Sequence, residues 1–243
     1  MDRFTLLATT ESGRTISFRI DPMSNTTSVM TGDASNTFQF PNGRAWEDNE
    51  VRESDVGDAI LGLAPRSSFM TALQTVTLNP TKGKMIVGEY DAAPDCREGG
   101  VFFAPQDAGA ETWKIPFHWD AEGFGSADVT FDIDYTGDSF VVPRSLSRPF
   151  YLFFSREIQD ALDAGTEYTV EEARAAVPTI HLTMDGFDLP LTPERYVTDD
   201  ARGLDTEFGF SPVRDPILPR DVLRKLVVQL DAANNRIGIC TAH

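Results

Sequence analysis

The chain has 243 residues and a formal net charge of −17, with 24% charged and 41% hydrophobic residues. That length buries a sizeable core in one large or two small domains. The charge repels a phosphate backbone, which excludes nucleic acid as a partner and makes solubility the plain reading of the acidity, and no apolar run, Phe150 to Phe154 included, is long enough to span a bilayer.

The first residues, Met1 to Glu11, have a short apolar stretch that turns polar at once, so they do not read as a secretory signal and a cytoplasmic location is expected. Two cysteines, Cys96 and Cys240, are too few for a disulfide framework and read as reduced thiols. Seventeen Phe against five Tyr point to an apolar interior or cleft with few phenolic hydroxyls to orient a polar substrate.

From Phe4 to about Ile20, apolar and polar residues alternate around Ser12-Gly13-Arg14, which predicts a β-hairpin. After a loop rich in Ser, Thr and Asn, Thr37 to Trp46 predicts a second hairpin on the Asn42-Gly43 turn signal. Acidic, strand-poor sequence leads to Asp58-Ala59-Ile60-Leu61-Gly62-Leu63-Ala64. Short strands between Gly, Pro and Asp turns fill Leu73 to Phe131. Two helices follow, one over about Arg156 to Ala164 and one over about Val170 to Val177, the latter with a Thr169/Glu172 capping box and Pro178 closing it. A strand, hairpin and strand run from Ile180 to Val197.

The last segment, Ile217-Leu218-Pro219-Arg220-Asp221-Val222-Leu223-Arg224-Lys225-Leu226 through Asp231 to Ala232-Ala233-Asn234-Asn235-Arg236-Ile237-Gly238, resembles the closing segment of pepsin-like aspartic proteases. That family has there a turn, a short helix, a strand ending in Asp, and a hairpin carrying Ala-Asn-Asn. Ala59 to Ala64, the Gly99-Gly100 strand, Trp113 to Phe117 and the run from Ile180 to Tyr196 resemble further segments of the same family in the same order. The resemblance implies a mostly β, two-lobed pepsin-like acid-protease β-barrel fold with a truncated N-terminal lobe at residues 1–90 and a C-terminal lobe at 91–243.

The family's chemistry rests on two Asp-Thr-Gly triplets whose aspartates share a proton, because like charges at such range cannot both ionise. In the first lobe the resemblance places Ile20-Asp21-Pro22-Met23-Ser24 on the triplet, keeping Asp21 but losing the hydroxyl and the glycine. In the second lobe two registers fit. Matching Thr136-Gly137 to the triplet puts Tyr135 on the catalytic position, whereas counting back from Pro143 without a gap puts Asp134 there; the ungapped register is preferred. Candidate catalytic residues are therefore Asp21 and Asp134, and candidate substrate-facing residues are Met23, Tyr135, Thr136 and Trp46, the last as a lid residue on a shortened flap.

Pro219 and Ala59 also replace glycines in the loops that support the family's dyad. These losses imply a non-proteolytic, repurposed protein. The expected activity is acid/base-assisted isomerisation or cyclisation of a small apolar metabolite in the inter-lobe cleft, in specialised metabolism. A catalytically inactive peptide- or protein-binding module is the second reading, and residual endopeptidase activity the third. No cofactor and no metal are expected: His118, His181 and His243 show no ligand spacing with Cys96 or Cys240, no phosphate-cradling loop opens a helix, and Gly-x-Ser-x-Gly is absent. The expected partner is a small apolar ligand or a peptide, with neither nucleic acid nor membrane.

Overall fold

A computed structural model describes residues 5–10, 13–30, 37–39, 45–47, 52–54, 59–135, 140–200, 203–206, 208–209 and 215–243. The chain is mostly β. No described helix is long and apolar enough to cross a membrane.

The first sheet uses β1 (Thr5–Thr10), β2 (Thr15–Asp21), β3 (Ser28–Met30), β4 (Thr37–Gln39), β5 (Ala45–Glu47), β6 (Arg52–Ser54) and β7 (Ala59–Gly62) in the order β5-β4-β1-β2-β7-β3-β6. Both predicted hairpins form: β1 pairs antiparallel with β2, Thr9 facing Thr15, and β4 pairs with β5, Phe38 facing Trp46. Asn42-Gly43 lies outside the described residues. The alternation on β2 sends Ile16, Phe18 and Ile20 into the core, where Phe18 meets Phe38 edge to face at 5.2 Å. The acidic segment expected to be strand-poor contributes β6.

After α1 (Ser68–Leu73), β8 (Thr75–Asn79), β9 (Lys84–Val87) and β10 (Phe102–Pro105) enter a second sheet, completed by two strands from the C-terminus. The third sheet begins with β11 (Lys114–Ala121), β12 (Gly125–Asp134) and β13 (Phe140–Val141). Next come α2 (Arg144–Asp163) and α3 (Val170–Ala176), then β14 (Ile180–Met184), β15 (Phe187–Leu191), the separate hairpin β16 (Val197–Asp200) and β17 (Gly203–Thr206), β18 (Phe208–Gly209) and β19 (Ile217–Pro219). The chain closes through α4 (Arg220–Leu223), β20 (Leu226–Asp231) and β21 (Arg236–Thr241), and the second sheet runs β10-β21-β20-β8-β9.

α3 carries the expected capping box, with the Thr169 hydroxyl accepting from the Glu172 N–H and the Glu172 carboxylate accepting from the Thr169 N–H. α2 differs from expectation. It starts twelve residues earlier, behind Pro143, and runs straight through Pro149. A proline inside a helix forfeits one backbone hydrogen bond; burial of Leu146, Phe150 and Phe154 on one face offsets that loss.

The third sheet has the order β15-β14-β11-β12-β19-β13-β18. Strand for strand this repeats the first sheet, β1 to β5 answering to β11 to β15, β6 to β18 and β7 to β19. In each, the second strand of the first hairpin and the strand after it lie on either side of a strand that arrives much later in the chain. The registers agree as well: β3 faces β7 through Ser28 and Ile60, and β13 faces β19 through Val141 and Ile217. β3 runs parallel to β6, as β13 does to β18.

The chain divides into two compact units. The first comprises Met1–Ile115, Asp132–Asp138 and Pro219–His243, the second Pro116–Phe131 and Ser139–Leu218. Much of the aromatic content packs the second unit, where Phe208 lies 5.6 Å from Trp119, 5.4 Å from Phe140 and Phe150, and 5.2 Å from Tyr196. In the first unit Cys96 and Cys240 form a disulfide with Cα atoms 5.5 Å apart. This corrects the expectation of two reduced thiols: two cysteines 144 positions apart carry no framework in sequence, and only β21, folded back beside the Cys96 loop, makes them partners.

Candidate active site at two equivalent strand ends

Asp21 is the last residue of β2, and it ends the strand by building a turn. Its Oδ1 accepts the Met23 N–H at 2.9 Å, and its backbone oxygen accepts the Ser24 N–H at 3.3 Å and the Leu63 N–H at 2.8 Å. The loop that follows is pressed onto β7. A Cβ on Gly62 would stand 2.6 Å from the Thr26 oxygen and 2.7 Å from the Ser24 oxygen, a distance only glycine tolerates. The buried Thr27 hydroxyl accepts the Gly62 N–H at 3.4 Å, and Ala64 N–H donates to the Ser24 oxygen at 3.1 Å. Pro22 is buried and Met23 half-buried. Proline supplies no hydroxyl here, so no side chain from position 22 can brace a neighbouring carboxylate.

Asp134 is the last residue of β12. Ser28, which faces Ile60, stands seven positions beyond Asp21, and Val141, which faces Ile217, stands seven beyond Asp134. The common spacing matches Asp134, and not Tyr135, to Asp21. The same superposition matches Tyr135 to Pro22, both buried, and Gly62 to Pro219. Tyr135 sits in the core, where burial pushes its phenol far above the ordinary tyrosine value. Thr136, the counterpart of Met23, lies outside the described residues. Trp46 lies on β5, at the edge of the first sheet; its side chain is outside the described residues.

Both aspartates belong to the first unit, and the charge on Asp134 acts on Asp21. Burial raises the Asp21 carboxyl above its ordinary 3.8, the Met23 N–H opposes that, the charge on Asp134 raises it further, and Arg19 pulls it back. Asp21 therefore holds a proton more tightly than a solvated aspartate, with the charge of a second carboxylate contributing to that hold. That is the electrostatic requirement for a pair in which one group donates a proton and the other accepts one.

Two residues earlier on the same strand, Asp132 is structural. It is buried, accepts the Thr112 hydroxyl at 2.6 Å and has Lys114 Nζ at 3.8 Å. Trp113, also buried, donates its indole N–H to the Leu63 oxygen at 2.6 Å, tying β11 to the residue just beyond β7. Among the described residues, no group of three or more His, Cys, Asp and Glu side chains is arranged to hold a metal ion.

The likeness of the two strands that end in Asp21 and Asp134 is in the chain but becomes visible only once the strands are paired. Ser17-Phe18-Arg19-Ile20-Asp21 and Thr130-Phe131-Asp132-Ile133-Asp134 occupy matching strands, with Phe18, Ile20, Phe131 and Ile133 all buried. Ile60-Leu61-Gly62 and Ile217-Leu218-Pro219 likewise fill the two crossing strands. No protein-family model matches the chain, and no curated protein matches it at a significant level.

Proposed function

We propose that this chain is a pepsin-like scaffold turned to a non-proteolytic use, in which Asp21 and Asp134 act as an acid/base pair on a small apolar metabolite. The observation that carries the reading is the duplicated strand order, which ends one aspartate at each of two equivalent positions. Asp21, held protonated to higher pH by burial and by Asp134, is the general acid, and Asp134 is the base. Isomerisation or ring closure suits such a pair, since a bound conformer and one proton donor and acceptor supply most of what these reactions need. Peptide hydrolysis asks for more. It needs a water placed between two braced carboxylates, and Pro22 and the buried Tyr135 stand where braces would be.

The test has two parts. Native mass spectrometry of the protein as isolated looks for a bound small molecule, whose turnover is then compared between wild type and the Asp21→Asn and Asp134→Asn variants. Loss of turnover in both supports the pair; turnover unchanged in both overturns it. Cleavage of a general acid-protease substrate, blocked by a statine-type inhibitor, would instead favour retained peptidase activity.

A further inference from the structure

The solvent face of the β11–β12 hairpin, in the second unit, carries a relay of three side chains that the aspartate pair does not involve. His118 Nδ1 lies 2.8 Å from Asp128 Oδ1, and His118 Nε2 lies 3.0 Å from Ser126 Oγ. The strands dictate this grouping. Ser126 and Asp128, two apart on β12, share a face, and His118 projects from the same exposed face of neighbouring β11.

Exposed side chains often make single hydrogen bonds, but here both ring nitrogens of one imidazole are engaged in a particular order. A carboxylate at Nδ1 holds the proton on that nitrogen and leaves the Nε2 lone pair to accept from a hydroxyl. The hydroxyl on Nε2 belongs to serine, which is the sense of the Ser-His-Asp arrangement used in acyl transfer. Beside His118 and Asp128 opens a trough of about 400 Å³, with Pro116, Phe117, Thr130, Thr183 and Asp185 among the residues lining it; Ser126 stands outside it, open to solvent, so the site suits a small ester that needs no deep pocket.

We infer that Ser126, His118 and Asp128 form an acyl-transfer site for small activated esters. Ser126 is the nucleophile and His118 the base; Asp128 positions the imidazole. Ser126 Oγ forms a bond to the acyl carbon while His118 Nε2 takes the hydroxyl proton. The bond from that carbon to the departing oxygen breaks, and His118 returns the proton to the departing alcohol or phenol. Water, deprotonated by the same imidazole, then attacks the acyl-serine, releasing the acid and restoring the Ser126 hydroxyl. No electron changes hands, and water is the only co-reactant.

The experiment treats the full chain with p-nitrophenyl acetate, follows phenol release, and locates the acetyl group by peptide mass spectrometry. The expected result is acetyl on Ser126, none there in Ser126→Ala, and acylation slowed about a hundredfold in His118→Ala. Asp128→Asn is slowed as well and Asp128→Glu recovers part of the rate, a rescue that a merely structural role would not show. His181→Ala, which removes the other His–Asp pair, at 3.0 Å to Asp188, acylates at the wild-type rate. A fluorophosphonate probe, which labels activated serines, gives a second reading and should attach to Ser126 in wild type and not in His118→Ala. The inference is overturned if acetyl groups appear only on lysine or terminal amines, or if Ser126 is acylated equally fast in wild type and His118→Ala.

Discussion

Asp134 stands at the end of β12 where Asp21 stands at the end of β2, and its charge helps to hold the Asp21 carboxyl above the ordinary aspartate range. The two residues belong to sheets with one strand order, each at the end of the strand that closes the first hairpin.

The first prediction concerns that coupling. Replacing Asp134 with Asn removes the raising charge and should lower the Asp21 pKa, as read by carboxyl-selective NMR titration. The sign of the stability effect follows: a raised folded-state pKa means the folded chain binds the proton more tightly, so this contribution is complete below about 3.8 and is lost as pH rises through the folded value. Asp21→Asn keeps the oxygen that accepts the Met23 N–H and should raise Tm at neutral pH more than at pH 3. A pKa for Asp21 at or below that of a model aspartate would refute this.

The Cys96–Cys240 bond should contribute strongly to stability. A link between residues 144 positions apart constrains a long loop in the unfolded chain, and in the chain-entropy view such a loop is worth about 5 kcal/mol. The double change Cys96→Ser and Cys240→Ser should lower Tm by many degrees, and the native protein should show no thiol reactive with Ellman's reagent after denaturation without reductant. Disulfides persist in oxidising compartments, which sets this bond against the expectation of a cytoplasmic location. Two titratable thiols in the denatured, unreduced chain would restore that expectation.

Gly62→Ala should be among the most damaging single-methyl changes in the first sheet. The added Cβ meets two backbone oxygens of the 24–26 turn, which cannot rotate away as a side chain can, and overpacking of this kind costs about 1–3 kcal/mol. Because that turn continues from Asp21, the same variant should shift the Asp21 titration. Urea denaturation together with the NMR titration would measure both, and an unchanged midpoint would show that the turn yields.

Asp231, buried at the end of β20, should titrate below its ordinary value. Burial alone would raise it; Asn234, which donates its side-chain amide at 2.9 Å and its backbone N–H at 3.2 Å, and Arg236 Nε at 2.7 Å outweigh that and lower it. A depressed folded-state pKa gives stability that is present above about 3.8 and lost as pH falls through the folded value. Asp231→Ala should cost about 1–2 kcal/mol at neutral pH, since it leaves the Asn234 amide and Arg236 without their acceptor while the half-exposed Arg236 keeps water, and should cost less in acid. Equal losses at both extremes of pH would contradict this assignment.

Much of the fold was legible in order along the chain. Gly13, at φ 79°, marks the first hairpin, and Asp185 and Gly186, at φ 45° and 88°, turn the hairpin between β14 and β15. The Thr169/Glu172 box starts α3 where expected. The beginning of α2 was not legible, because Pro149 reads locally as a breaker and only the burial of Phe150 and Phe154 outweighs it. Of the candidate site, Asp21 stood out, whereas Asp134 and Tyr135 competed for one position, and only the paired strands show that Asp134, seven residues before Val141, is in register with Asp21.

What the sequence by itself determined is local: alternation that makes strands, turn residues that close hairpins, caps that start helices, and an acidic surface. Only the tertiary structure decided which strands are neighbours, that Ser28 meets Ile60 as Val141 meets Ile217, that Cys96 finds Cys240, and that Asp21 feels the charge of Asp134 at a matching strand end. The reason is physical. Backbone propensity and turn chemistry act over a few residues, but sheet register, burial and the field of a distant carboxylate depend on partners brought together by the whole fold.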